Sequence, residues 1–364
     1  MKNRLLMILC FCMVLYLTGC ARPQPERQAK DADDLQRTSI QAGEKDIALS
    51  KTIISTELFG QDFHDQFNLT TLRRVGWIDT VAIRNTLYRL MGNGDIYQYD
   101  VASGEYSLYC TVPTPPEGTG AETTYSSLSD KLKTALEKSV YQLFVREGEL
   151  YGYSSVSGAI GKIDEKGISW LDVRLDNAIQ SVQDSAWPNP LQYFFSEGNT
   201  LYAYYDRALN EYGEQPCNGV MLAFNLDTGR CTTTDLPDTY MMCRYQTGYA
   251  LLLRGNSKKG AYLSSLDLST GAIIDLDISV PFQLDAGASE DSWMLLEQVG
   301  GLAYDASRKR IYLAVPSALY MANDRQEFAP CEIQGDIWDN LSGRSAFILE
   351  NGAYFLNSTL VHEP

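Results

Sequence analysis

The chain has 364 residues and a formal net charge of −16 at pH 7, with 46 acidic side chains against 30 basic ones. This acidity argues against nucleic-acid binding, because a phosphate backbone is recognised by a basic surface. It argues equally against attachment to an anionic membrane surface by charge alone. The length is enough for one large domain or two ordinary ones.

The first predicted segment is an N-terminal leader. Two basic residues precede an apolar run that ends at Leu17, and the sequence then reads Thr18-Gly19-Cys20. An apolar run of about a dozen residues is too short to span a bilayer comfortably and is typical of a signal peptide. The ending resembles the lipobox of bacterial lipoproteins, in which the leader is cut before a cysteine that carries lipid.

The resemblance implies that residues 1–19 are removed and that Cys20 is lipidated, which would hold the protein on the extracytoplasmic face of the cell membrane. Ala21 follows the cysteine, rather than the Asp that would retain a lipoprotein at an inner membrane, so an outer-membrane location stays open. Residues 20–50 are polar and rich in charge, which predicts a flexible tether. The folded domain is predicted to cover residues 51–364.

The cysteines beyond Cys20 show no pattern that indicates a function. Those expected in the mature chain are Cys110, Cys217, Cys231, Cys243 and Cys331. Their number is odd, and they lack both a CxxC pair and regular spacing, so they predict neither a zinc site nor a disulfide framework. Buried free thiols are expected, and one bridged pair is an alternative that the sequence does not decide.

From Lys51 onward, short runs rich in Tyr, Leu, Ile and Val alternate with Gly, Asn, Asp and Ser turns, which is typical of short antiparallel strands. Groups of four runs recur with a period of about 42 to 63 residues. The turn between the third and fourth runs reads Asp100-Val-Ala-Ser-Gly104, Asp164-Glu-Lys-Gly167, Asn225-Leu-Asp-Thr-Gly229 and Asp267-Leu-Ser-Thr-Gly271. The Asp or Asn can cap its own turn, and Gly supplies the positive φ.

These turns resemble the Leu-Asp-x-x-Thr-Gly hairpins of the quinoprotein-like propeller family. The tryptophan that this family places a few residues after the glycine is absent, so the resemblance implies the architecture and no bound quinone. The expected fold is an all-β propeller of six four-stranded blades, with seven blades as the alternative. The sixth unit lacks outer strands, and Thr52 to Leu58 is predicted to supply one. The rival explanation is a chain truncated before its last blade or a further domain.

Four of the five tryptophans recur shortly before a predicted inner strand, each with an aspartate close by. The pairs are Trp77 with Asp79, Trp187 with Asp184, Trp293 with Asp291, and Trp338 with Asp336. The long insertions fall at the same end of the blades. A ring of indoles and carboxylates predicts a binding site for a sugar or a peptide side chain. Packing of the indoles between neighbouring blades is the alternative.

One helix is predicted, over residues 127–141. Leu128, Leu132, Leu136 and Val140 recur at a spacing of four, and Ser127 or Ser129 would be the N-cap. This pattern is typical of an amphipathic helix whose apolar stripe packs against its own domain.

The sequence lacks a nucleophile elbow, a P-loop and a calcium loop, and its two histidines cannot build a multi-histidine metal site. The expected function is a lipid-anchored extracytoplasmic module that recognises or scaffolds an envelope protein or a carbohydrate. The alternatives are a carbohydrate-active enzyme using carboxylates of that face and an accessory lipoprotein of a solute import system. Enzymatic activity stays open, with binding favoured, and no cofactor, metal or nucleic acid is expected.

Overall fold

The computed structural model describes residues 47–53, 77–116, 127–175, 191–206, 218–256, 260–280, 301–315, 318–322, 327–333, 346–352, 354–356 and 359–362. The chain divides into two compact units, Met1–Gln41 and Ala42–Pro364, and all described residues belong to the second. The predicted leader, Cys20 and most of the predicted tether lie outside the described residues.

Strands dominate the described chain. They are β1 (Ile47–Ile53), β2 (Trp77–Ile83), β3 (Thr86–Met91), β4 (Asp95–Asp100), β5 (Tyr106–Thr111), β6 (Gln142–Arg146), β7 (Glu149–Tyr153), β8 (Ala159–Asp164), β9 (Gly167–Arg174), β10 (Gln192–Glu197), β11 (Thr200–Asp206), β12 (Asn218–Asn225), β13 (Cys231–Pro237), β14 (Thr239–Arg244), β15 (Tyr249–Asn256), β16 (Gly260–Asp267), β17 (Ile273–Ser279), β18 (Gly301–Asp305), β19 (Arg310–Val315), β20 (Ala318–Ala322), β21 (Phe328–Ile333), β22 (Ala346–Ile348), β23 (Tyr354–Leu356) and β24 (Thr359–His362). The helix described among them is α1 (Asp130–Glu137).

Four separate sheets follow one another along the chain, each with four strands in sequence order: β2–β5, β6–β9, β10–β13 and β14–β17. They are blades one to four, and β18–β21 form blade five. The first strand of each blade contacts the first strand of the next, from β2 through β6, β10, β14 and β18 to β22. This arrangement is a β-propeller, so the predicted all-β propeller is confirmed.

The predicted number of blades is wrong, because the structure has five four-stranded blades rather than six or seven. The strands assigned to a sixth blade continue the sheet of blade five in the order β21-β1-β24-β23-β22, which gives eight strands. Strand β1 is the cause. Its residues 47–49 pair in parallel with residues 331–333 of β21, and its residues 50–53 pair antiparallel with residues 359–362 of β24.

An N-terminal strand does pair with the C-terminal strand, as the expected closure of the ring requires. It runs from Ile47 to Ile53, earlier than the predicted Thr52 to Leu58, and the two ranges share only Thr52 and Ile53. Residues 54–58 lie outside the described residues. The prediction was therefore correct in kind and wrong in its boundaries. The β-rich region also begins before residue 51.

The last three strands, β22–β24, are called the closing strands, and they also contact blade one, which completes the ring. Leu349, in the turn between β22 and β23, is buried against apolar side chains of blade one. The backbone N–H of Glu350 donates to the Arg84 carbonyl at 3.2 Å. The backbone N–H of Asn351 donates to Oδ1 of Asn85 at 2.8 Å. Both hydrogen bonds join the first turn of the closing strands to the first turn of blade one.

A buried carboxylate in blade five supports a contact with the turn between β22 and β23. Asp305 is 3% exposed and accepts hydrogen bonds from the Ser307 hydroxyl, from two backbone N–H groups and from the Arg308 guanidinium. Burial alone would raise the pKa of Asp305, but these hydrogen bonds outweigh it and lower the pKa. Arg308 also donates to the Asn351 carbonyl at 3.3 Å.

The repeated turn between third and fourth strands has the predicted chemistry. In blade four, Oδ1 of Asp267 accepts from the backbone N–H groups of Ser269 at 2.8 Å and Thr270 at 3.1 Å. The N–H of Gly271 donates to the Asp267 carbonyl at 2.8 Å, and its φ of +73° is a conformation that favours glycine. The turns of blades one and three are capped by their first residue in the same way.

The core lies between neighbouring blades. Phe144 and Tyr153 of blade two pack with Leu201 and Val220 of blade three, and similar clusters join blade one to two and blade three to four. The faces of each sheet are thus covered by its neighbours, which explains why strands such as β7 are buried on both faces. None of the described helices is long and apolar enough to cross a membrane.

Closure by β1 predicts a specific cross-link. Ile47 lies opposite Cys331 in the parallel ladder, and strands about 4.8 Å apart lie within the reach of a disulfide. Ile47→Cys should therefore form an intrachain disulfide with Cys331 on mild oxidation, detected by peptide mass spectrometry. Ala48→Cys is the matched control, because successive positions of a strand alternate between its two faces. Equal cross-linking of both variants to Cys331 would contradict the register.

Candidate functional site

The connections at the two ends of the blades differ in length. At the end where the inner strands begin, one blade is joined to the next through residues 112–141, 175–191, 280–300 and 334–345, with residue 238 alone between blades three and four. At the other end, first and second strands are joined through residues 84–85, 147–148, 198–199, 245–248 and 306–309. The end with the long connections is called the top face.

The structure describes little of the predicted ring of tryptophans and aspartates. Trp77 is the first residue of β2, so its backbone lies at the top face, opposite Met91 in the ladder. The predicted site residues that lie outside the described residues are Trp187, Trp293, Trp338, Asp184, Asp291 and Asp336. They belong to three of the long connections, and their convergence around the axis stays a prediction.

Asp79, the described aspartate of the series, joins two blades. It follows an irregularity of the β2–β3 pairing, and its Oδ1 accepts from the backbone N–H of Thr80 at 2.8 Å. Its Oδ2 accepts from the backbone N–H of Leu143, in the inner strand of blade two, at 2.7 Å. Both carboxylate oxygens therefore hold the backbone, and Asp79 has a structural task at the position where the sequence predicted a ligand contact.

A buried cation lies beside this contact. Arg89 of β3 pairs with Thr80 in the ladder and is 1% exposed. Burial lowers the pKa of Arg89 to about 10, because the charged form loses water. Arg89 was not among the residues that the sequence predicted to be functional. Its one signal was a charged residue between Tyr88 and Leu90 in an otherwise apolar and aromatic strand.

The predicted helix is present but shorter than its pattern. It spans Asp130–Glu137, with Ser129 as the N-cap residue although its side chain makes no capping hydrogen bond. Leu136 is fully buried and packs with Tyr141 and Val156 of blade two. The apolar stripe is therefore internal packing, as predicted, and the helix forms part of the top face.

Two of the described thiols, Cys110 and Cys243, are poorly suited to nucleophilic chemistry. Burial raises the pKa of Cys110 to about 11, and it raises the pKa of Cys243 further. Cys110, Cys231, Cys243 and Cys331 are free thiols, but only Cys110 and Cys331 are buried, whereas buried thiols were expected throughout. Cys217 lies outside the described residues. In the described part of the chain, no group of three or more His, Cys, Asp or Glu side chains could hold a metal ion.

The solved structures that this chain resembles are distant, with TM-scores below 0.5. A structural genomics protein of unknown function from Bacteroides thetaiotaomicron VPI-5482 is 9% identical with a TM-score of 0.46, covering 79% of this chain and 70% of its own. XC5397 from Xanthomonas campestris, described as a gluconolactonase, is 8% identical with a TM-score of 0.46, covering 81% and 88%. The sequence matches no known protein family and no curated protein. The chain is thus defined as a β-propeller by its strand topology.

The role of Asp79 can be tested by two substitutions at one position. Asp79→Ala leaves the buried Leu143 N–H without an acceptor and should lower the free energy of unfolding by about 1–3 kcal/mol. Asp79→Asn keeps an amide oxygen that can accept from Leu143 and should cost less. Urea unfolding followed by circular dichroism measures both. Equal effects of the two variants would contradict the role of this acceptor.

Proposed function

We propose that this protein is a lipid-anchored extracytoplasmic binding module, which recognises an envelope protein or a carbohydrate through the top face of its propeller. The observation that carries the proposal is the difference in connection length between the two ends of the blades. Long connections on one face of a rigid scaffold are where binding sites usually lie. Four of the five joins between successive blades or closing strands at this end are long, and three of them hold Trp187, Trp293 and Trp338.

The scaffold beneath the top face is rigid enough to support such a site. Besides the contact from Asp79 to blade two, the Ser196 hydroxyl donates to the Val145 carbonyl at 2.6 Å. The Gly248 N–H donates to Glu197 Oε1 at 2.7 Å. These hydrogen bonds join blades one to four to one another near their inner strands, so the connections start from fixed positions.

The anchor is proposed from the leader sequence, and it has its own test. Cys20→Ala should release the protein from membranes or leave an unprocessed precursor, as measured by fractionation and by the mass of the mature chain. Cys12→Ala, in the apolar part of the leader, is the matched control and should leave anchoring unchanged. A Cys20→Ala protein that is cleaved normally and stays with membranes would show that the lipobox assignment is wrong.

The tryptophan ring is tested by separating binding from packing. A tryptophan wedged between blades should cost about 3–5 kcal/mol when cut to Ala, whereas one open to a site should cost little. We expect thermal unfolding to show little loss of stability for at least two of Trp77→Ala, Trp187→Ala, Trp293→Ala and Trp338→Ala. Acrylamide quenching of the parent protein should then show exposed indoles.

Trp170→Ala provides the matched control. Trp170 lies in β9 and packs against the core between blades one and two, so its removal should destabilise the fold. Titration with soluble peptidoglycan fragments and chitin oligomers, followed by intrinsic fluorescence, tests whether the partner is a carbohydrate. No change in fluorescence with either would favour a protein partner. Severe destabilisation by all four top-face variants, with shielded indoles in the parent, would show that the ring is structural.

A further inference from the structure

The closing strands are shorter than the strands of the blades before them. Strands β22 and β23 have three residues each and β24 has four, whereas the strands of blades one to four have five to eight. Short strands share few ladder hydrogen bonds, and a part of a fold with few such bonds opens locally at a lower cost in free energy than the rest. The closing strands therefore depend on contacts other than their own pairing.

Residues 349–352, between β22 and β23, make such contacts on both sides and are called the closing turn. Towards blade one, Leu349 is buried, and the backbone N–H groups of Glu350 and Asn351 donate to the first turn of that blade. Towards blade five, the Nη2 of Arg308 donates to the Asn351 carbonyl at 3.3 Å. The closing turn is thus held between the two neighbours that the closing strands must join.

A buried acid positions Arg308 for this contact. The Nη1 of Arg308 donates to Oδ2 of Asp305 at 3.0 Å, and Asp305 is 3% exposed. The guanidinium also lies directly against Gly352, where an added Cβ would overlap its atoms. Because a guanidinium is a planar fork, one nitrogen can stay on the carboxylate while another reaches the closing turn. Arg308 therefore connects Asp305 of blade five to Asn351 and Gly352.

The closing strands cover an apolar surface of blade five. Ala346 and Ile348 of β22 pack against a cluster that includes Tyr312 and Cys331, and Cys331 is 8% exposed. When the closing strands move away, this cluster loses part of its cover and solvent can reach the Cys331 thiol. Cys110 belongs to the cluster between blades one and two, so it keeps its cover in the same event.

We propose that Asp305 and Arg308 form a latch, and that the closing strands open as one unit when it is released while blades one to four stay folded. Without the guanidinium, Asp305 still accepts from the Ser307 hydroxyl and from two backbone N–H groups, so the turn of blade five keeps its own bonds. The sheets of blades one to four contain none of the closing strands. The latch therefore controls access to the apolar surface beneath β22 and depends neither on the lipid anchor nor on the top face.

Thiol labelling of the folded protein measures this opening. Arg308→Ala should raise the rate at which N-ethylmaleimide modifies Cys331 by about five- to tenfold, the effect of losing a hydrogen-bonded ion pair at a partly exposed position. The rate at Cys110 should stay the same, and peptide mass spectrometry distinguishes the two thiols. An unchanged rate at Cys331, or an equal acceleration at both thiols, would overturn the proposal.

Two further variants separate the latch from a general effect of charge. Arg230→Ala removes the same charge from an exposed turn of blade three and should leave both labelling rates unchanged. Arg308→Lys keeps the charge beside Asp305 but lacks the fork that reaches Asn351, so its Cys331 rate should lie between those of the parent and Arg308→Ala. This variant carries the test if Arg308→Ala does not fold. A Cys331 rate equal to that of the parent in Arg308→Lys, or raised equally in Arg230→Ala, would refute the latch.

Discussion

One strand joins the two ends of the folded chain. Strand β1 pairs both with β21 of blade five and with β24, the last described strand, and the covering of every blade by its neighbours depends on this pairing. Without β1, the outer strands β21 and β24 would each present an unpaired edge. The pairing also joins residues from opposite ends of the chain, such as Ile47 and Cys331. Contacts of such high sequence separation cost loop-closure entropy, and they must therefore be supported by packing elsewhere in the ring.

Much of this architecture could be predicted because it is local. Each strand run, each Asp or Asn cap and each glycine with positive φ depends on a few adjacent residues. The turn motif also occurs four times in the sequence, which makes the repeat easy to detect. The helix was placed correctly at Leu136, but its pattern extended to Val140, which packs in the core between blades one and two instead. Periodicity predicts a face and does not show where tertiary packing ends the helix.

The merging of the last strands with blade five could not be predicted in this way. The sequence of an outer strand does not specify its partners, because the main-chain hydrogen-bonding groups are the same in almost every residue. Strand β1 could therefore have paired with β24 alone and closed a separate blade. The same limit applies to Asp79. Its spacing from Trp77 predicted a ligand contact, whereas its carboxylate bonds to the Leu143 backbone. Only the position of the neighbouring blade decides between these roles.

The pairing of β1 has a mechanical consequence. A pull on the chain before Ile47, directed along the strand, loads the hydrogen bonds to β21 and to β24 together, because these bonds run across the strand. They would have to break in shear as a group, whereas a hairpin pulled from its open end unzips bond by bond. A ring that is held from its N-terminal side is therefore loaded first at β1 and its two partner strands, and not at the inner strands that carry the top face.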